Sequence, residues 1–144
     1  MASATHVSPS DVVDRLIQAT NDHDLAGIVG CFAADYRNET PAHPTRGFVG
    51  RDQVRRNWTQ ILRAVPDVTA TVLRVAVDGH TVWTEQEHRG TRPDGRAHLM
   101  RGVVIFGITY GAITWARFYL EPVHEGGGSV DEVIARQLNM GGPS

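Results

Sequence analysis

Apolar positions recur at helical spacing in the first half of the chain and at alternating spacing in the second. Ser8-Pro9-Ser10-Asp11 starts a helix, with a capping serine, proline at the first helical position and an acid in the first turn. Val12, Val13, Leu16 and Ile17 then form one apolar stripe. Asn21-Asp22-His23 breaks that stripe, and Asp24 caps a second helix with Leu25, Ile28, Val29 and Phe32 on its buried side. The two helices are expected to fold back on each other. Tyr36 to Thr40 reads as a short strand, followed by a loop from Pro41 to Gly50 that carries proline and glycine. A third helix, from about Arg51 to Ala64, turns Val54, Trp58, Ile61, Leu62 and Val65 to one side and ends at Pro66.

From Asp67 on the period is two. Asp78-Gly79 signals a tight hairpin between strands at about 68–77 and 80–91. Pro93-Asp94-Gly95 fits a three-residue loop leading into the longest apolar stretch, His98 to Pro122. That stretch is interrupted by Tyr110-Gly111 and is too short for the ~20 apolar residues of a spanning helix, so it reads as a hairpin. A two-residue loop there places Phe106 opposite Trp115, Val104 opposite Arg117, Gly102 opposite Tyr119 and Met100 opposite Glu121. The four strands form one antiparallel meander. After Pro122, Glu125 to Gly128 is a joint, and Ser129 with Glu132 caps a last helix bearing Val130, Val133, Ile134 and Leu138. The chain thus divides into a domain at 8–122 and a glycine-rich joint with a short helix at 123–144.

Composition narrows the function classes. A formal charge of −2 without a basic stripe excludes a nucleic-acid surface. Lysine is absent and all 14 basic residues are arginine, which excludes a lysine Schiff base and a P-loop lysine. The serines (Ser3, Ser8, Ser10, Ser129, Ser144) lie near the ends or at helix starts and no G-x-S-x-G occurs, which argues against a serine nucleophile. The opening MASATHVSPSD lacks the regions of a signal peptide, and with the single Cys31 it points to a reducing cytoplasm. Cys31 sits among apolar residues and is expected to be buried and inert.

Chaining the turns assigns residues to faces, because opposed residues project to the same side. One face gathers Thr69, Gln86, His88, His98, Met100, Arg117, Tyr119 and Glu121 at one end, and Val77, Val82, Val104, Phe106, Ile113 and Trp115 toward the other. An apolar floor with a few convergent polar groups is how a small-molecule site is built. His88 is the candidate for proton transfer, its alternative being a hydrogen-bonded structural histidine. His98 lies opposite Gly90 at the rim. Arg117 and Tyr119 are candidates to hold an oxyanion, with an ion pair to Glu121 as the plainer reading of Arg117. Asn38 and Trp58 are expected to line the pocket from the short strand and third helix, although Trp58 also suits core packing. The spacing of His88, His98 and Glu121 matches no metal motif, and no metal or organic cofactor is expected. The opposite face pairs Glu87 with Arg101 and carries Trp83, Glu85, Val72, Val103 and Phe118, which suits a homodimer interface. One β-bulge would invert part of these lists.

FAADYRNETP, GFVGRDQVRRNW, RPDGRAHLMRGVVIF and GAITWARFYLEP, spanning roughly Val12 to Pro122, resemble the SnoaL-like branch of the NTF2-like superfamily. The resemblance implies an α+β fold: a cone-shaped barrel in which N-terminal helices pack on a curved four-stranded antiparallel meander plus a short strand, enclosing a deep pocket. Members include polyketide cyclases, ketosteroid isomerases, limonene-type epoxide hydrolases and proteins without known activity. The epoxide hydrolases resemble the chain along TEQEH and ITWARFY, where their Arg and two Asp fall on Gln86, His88 and Arg117, so the water-activating carboxylates are missing. Their Tyr and Asn water ligands fall on Asn38 and Thr40. The cyclases use a pocket carboxylate for an intramolecular aldol step, and the chain has no matching Asp.

Together these readings point to a small-molecule pocket protein for an apolar, polyketide- or steroid-like substrate. The enzymatic version performs acid/base cyclisation or isomerisation with His88 as base and Arg117 and Tyr119 at the oxyanion, in bacterial secondary metabolism. A non-catalytic binding protein for a hydrophobic molecule uses the same pocket, and a structural dimer with a vestigial cavity uses none. Neither nucleic acid nor membrane is an expected partner.

Overall fold

In the computed structural model, which describes residues 7–140, the Ser8 side chain accepts from Asp11 N–H while the Asp11 carboxylate accepts from Ser8 N–H, so α1 (Pro9–Asn21) opens on a complete capping box. Met1 to His6, the stretch that bears on a leader, lie outside the described residues, as does Ser144. Asp24 caps α2 (Leu25–Gly30), which packs back on α1. Phe32 does not end this helix. It begins β1 (Phe32–Glu39), a longer strand than the polar run suggests. A 3₁₀ turn (Pro44–Arg46) and the two-residue β2 (Phe48–Val49) lead into α3 (Arg51–Ala64), whose bounds are those expected.

The meander follows as β3 (Thr69–Asp78), β4 (Thr81–Thr91), β5 (Ala97–Thr109) and β6 (Ala112–Pro122). The sheet has six strands in the order β2-β1-β6-β5-β4-β3, because β1 adds in parallel to β6 and β2 pairs with β1. Its two edge strands do not pair with each other, so the cone is open. Helices α1, α2 and α3 cover its inner face over a core that includes Val12, Ile28, Tyr36, Val82, Val104, Phe106 and Ile113. Among the described residues no helix is long and apolar enough to cross a membrane.

Turn chemistry sets most of the pairing. The Pro93-Asp94-Gly95 loop closes with Arg92 N–H on Arg96 O and Gly95 in the left-handed region, and it places Gly90 opposite His98 and His88 opposite Met100, as expected. Tyr110 and Gly111 both take positive φ, the signature of a type I′ hairpin turn. The first hairpin turns one residue later than expected, at Gly79-His80.

Two bulges reverse the expected faces. Thr109 opposes Ala112 and Ile108 opposes Ile113, but Gly107 opposes Trp115, so Thr114 is the extra residue and everything beyond it is shifted by one. Phe106 therefore faces Ala116, Val104 faces Phe118 and Gly102 faces Leu120. Trp115, Arg117, Tyr119 and Glu121 move to the outer face, and Ala116, Phe118 and Leu120 turn inward. In β3 the extra residue is Leu73, which turns Thr69 and Thr71 outward and brings Ala70 and Val72 inside. The outer face keeps the expected Glu87–Arg101 pair, and Arg89 and Arg101 together hold the Glu87 carboxyl below its usual range. The Ser129–Glu132 capping box forms as expected, and it starts α4 (Val130–Met140) with Val130, Ile134 and Leu138 exposed.

Candidate functional site

On the inner face of β4, Thr84, Gln86 and His88 stand in one column two residues apart, all buried. Thr84 Oγ1 donates to Val104 O at 2.8 Å, Gln86 Nε2 donates to Thr84 Oγ1 at 2.9 Å, and His88 Nε2 lies 2.8 Å from Gln86 Oε1. The order of donors is forced from the bottom, since a carbonyl only accepts. Thr84 must donate to it, so the amide nitrogen of Gln86 must donate to Thr84, and Gln86 Oε1 can only accept from His88. His88 therefore carries its proton on Nε2, and Nδ1 is the bare lone pair. Among the described residues no buried side-chain nitrogen or oxygen lacks a partner. The unpaired Nδ1 is thus on the open side of the ring, where His88 lines a cavity of about 330 Å³.

Burial, and then the neighbouring His98, push the His88 pKa down to about 4. At neutral pH the ring is uncharged. From pH 6.5 down to about 4 the unfolded chain binds a proton at this position that the folded chain does not, so stability rises with pH across that window. The contribution is complete above about 6.5 and falls by about 3 kcal/mol as pH drops through the window. Urea midpoints of the wild type and His88→Gln, compared between pH 7.5 and 4, should show the gap between the two proteins shifting in favour of the variant by that amount. Parallel curves would contradict the buried neutral ring.

Across the cavity, Tyr36 and Asn38 alternate inward on β1. The Tyr36 hydroxyl donates to Asn38 Oδ1 at 2.7 Å, its ring held edge-on by Phe32 and Phe48. Burial raises the Tyr36 pKa, so the phenol stays protonated. With Oδ1 occupied, the Asn38 amide presents N–H donors to the cavity by the same accounting as for His88. From α3, Val54, Asn57, Trp58 and Ile61 follow the i, i+3, i+4, i+7 spacing of one face and form the opposite wall. Phe118 and Leu120 close the β6 side, and Met100, His98 and Arg46 also line the cavity. Among the described residues no carboxylate lines this cavity. It is a largely apolar chamber with the bare Nδ1 of His88, amide donors and the Arg46 side chain on its wall.

The structure brings together His88, Asn38, Trp58, His98 and Met100 on the cavity wall, with Gln86 behind His88. Val104 faces inward but is wholly buried in the core below. The expectation for β6 is corrected. Arg117 is outside, bound to Glu39 at 2.7 Å and stacked 5.0 Å from the Trp115 ring centroid. Its partner is thus Glu39 and not Glu121, which pairs with His43. Tyr119 is exposed on the outer face, and Trp115 lies over Gly107. The limonene-type positions at Gln86, His88 and Arg117 do not converge, and the inward tyrosine–asparagine pair is Tyr36 and Asn38, one strand repeat before the residues expected. Tyr36, Asn57, Phe118 and Leu120 join the wall beyond the expected set. Tyr36 carries a legible signal, two residues from Asn38, and so does Asn57, a polar residue on an apolar helical stripe. Among the described residues no three His, Cys, Asp or Glu side chains are grouped to hold a metal ion.

Comparison with known proteins places this architecture. A family model described as the SnoaL-like domain matches residues 13–116. Among solved structures, the epoxide hydrolase/cyclase-like enzyme SalBIII, named for a role in pyran ring formation in the polyether salinomycin, is 21% identical with a TM-score of 0.68, over 80% of this chain and 90% of its own. An LEH-like epoxide hydrolase of Mycobacterium tuberculosis is 17% identical, TM-score 0.68, over 78% and 82% of the two chains. RV0760c of the same organism, solved with estradiol-17beta-hemisuccinate, is 19% identical, TM-score 0.68, over 78% and 94%. At these identities the likeness is one of fold. No curated protein sequence matches the chain.

Proposed function

From the premise that the chain belongs to the SnoaL-like domain family, within the NTF2-like fold, we propose that it catalyses an acid/base isomerisation or ring closure of an apolar substrate held in the cavity. The observation that carries this reading is the unpaired Nδ1 of a neutral His88 facing a chamber that no carboxylate lines among the described residues. A substrate hydroxyl or activated C–H set against Nδ1 gives its proton to the ring, and the Asn38 amide donates to the oxygen on which negative charge gathers. The imidazolium formed is strongly acidic in that buried wall and returns the proton to the rearranged product, so the cycle needs no net proton. Thr84 and Gln86 act through His88 by holding its tautomer. The pyran ring formation ascribed to SalBIII and the steroid bound by RV0760c support ring closure and a polycyclic ligand as the class to test first.

The low basicity of His88 also favours a second reading, a binding protein that holds such molecules without converting them. The two separate on a thermal-shift screen of polyketides, steroids and terpenoids followed by turnover. A ligand at a hundred times its dissociation constant stabilises the fold by about 2.7 kcal/mol. For a converted ligand, kcat/KM should stay flat from pH 8 to about 5, because the base titrates near 4. A profile that breaks near 6.5 would assign the base to another group, and binding without conversion would leave only the second reading.

A second copy of the chain is the partner we propose for the outer face. Trp83 and Tyr119 are exposed there beside Glu85, Glu87 and Arg89 of β4 and Arg101 of β5, a mixture of charge that can complement itself across a two-fold axis. Sedimentation equilibrium should find a dimer at micromolar concentration that Trp83→Glu dissociates. A monomeric wild type removes this partner.

A further inference from the structure

We propose that the natural ligand is an amphiphile whose apolar body fills the cavity while an anionic tail crosses His98 and ends on Arg92. This rests on the reading that the cavity takes an apolar molecule. Next to the cavity lies a groove of about 470 Å³ between the C-terminal end of α3 and the β4–β5 turn. Ile61 and His98 line both, so the groove adjoins the cavity across these two side chains. Ile61, Ala64, Val65 and Pro93 give the groove apolar surface for the methylene part of a tail, and Gln60, Arg92, Asp94 and His98 supply its polar edge.

Charge gives the tail its end group. The groove carries two charged residues, Arg92 and Asp94. The Asp94 carboxylate is occupied by Arg96, through its backbone N–H at 3.0 Å and its Nε at 2.8 Å. Asp67, the other acid near His98, accepts from Thr91 N–H at 2.7 Å. The Arg92 guanidinium makes no ion pair among the described residues, and its charge reaches His98, adding to burial in lowering that ring's basicity. A chain leaving the cavity along the groove thus meets the Arg92 guanidinium, whose charge also reaches Asp94 but which is held by no ion pair among the described residues, and whose planar fork of donors fits a carboxylate. Arg46 on the cavity's own wall is the competing position for the anion.

The test uses three probes on the full chain: estradiol, its 17β-hemisuccinate, and the methyl ester of that hemisuccinate. The ester keeps the length of the tail and removes its charge. Calorimetry should show the acid binding about tenfold more tightly than the ester. The preference should disappear in Arg92→Gln, persist in Arg46→Gln, and shrink as salt rises. Equal affinity of acid and ester, with all three bound, overturns the tail site and leaves the cavity reading standing. A preference lost in Arg46→Gln instead places the anion inside the cavity and overturns the groove. If none of the three binds, the apolar cavity reading falls and this inference with it.

Discussion

Replacing His88 by glutamine is expected to lower kcat on a converted substrate by about 10²–10⁴-fold while the substrate still binds. Glutamine is the informative choice because its amide N–H can donate to Gln86 Oε1 as His88 Nε2 does, leaving the column from Val104 O to residue 88 satisfied. Alanine would strand Gln86 Oε1 in a buried wall at a cost of about 1–3 kcal/mol, and would mix a folding defect into the rate. In the glutamine variant a carbonyl oxygen can turn to the cavity where Nδ1 was. It accepts a hydrogen bond from a substrate hydroxyl but cannot take the proton away. The variant therefore separates holding the substrate from moving its proton, and the measurement is kcat and Kd together. A rate within tenfold of the wild type would take the proton transfer away from His88, and His98 at the rim would be the imidazole left to test.

That His88 can be singled out from the sequence follows from where its strand sits. β4 and β5 are joined by a loop whose proline and glycine fix its length, and their pairing runs without a bulge from Thr81 to Thr91. Opposed residues can then be counted outward from the turn. The same counting fails one strand over, where Thr114 adds a residue two positions after the first strand residue, Ala112. Hydrophobicity cannot flag the error, because β6 is apolar on both faces: Trp115 outside is as apolar as Phe118 inside. Arg117 and Tyr119 consequently look like oxyanion groups in the sequence, although Arg117 in fact serves an outer ion pair with Glu39. The loss from β1 has a different cause. A strand paired in parallel to β6 has no hairpin turn to announce it, so the sequence pattern extends a helix over Phe32 and starts the strand at Tyr36, whose inward face follows only from its two-residue spacing to Asn38. The α3 wall is legible because fourteen residues of helical spacing leave little choice of face.

Gly102→Val is the substitution expected to cost the fold most, about 4 kcal/mol or more. Gly102 lies in mid-strand between Gln86 and Leu120 with φ 154°, a conformation that residues with side chains rarely adopt. A Cβ there would collide with the backbone carbonyl of Tyr119 and lie 2.9 Å from the Leu120 Cα. Both obstacles are main chain, so no neighbouring truncation can make room. β6 itself would have to leave the ladder, with the loss of hydrogen bonds beside Phe118 and Leu120 on the cavity wall. Gly107 is the contrasting case, since a Cβ there meets the Trp115 indole, a side chain that can be removed. Stability should therefore return in Gly107→Ala when Trp115→Ala is added, whereas Tyr119→Ala should return nothing to Gly102→Val. Urea midpoints of the two single and two double variants decide it. A Gly102→Val protein within about 1 kcal/mol of the wild type would mean that β6 gives way at little cost, and that the close approach at Gly102 does not hold the sheet's curl.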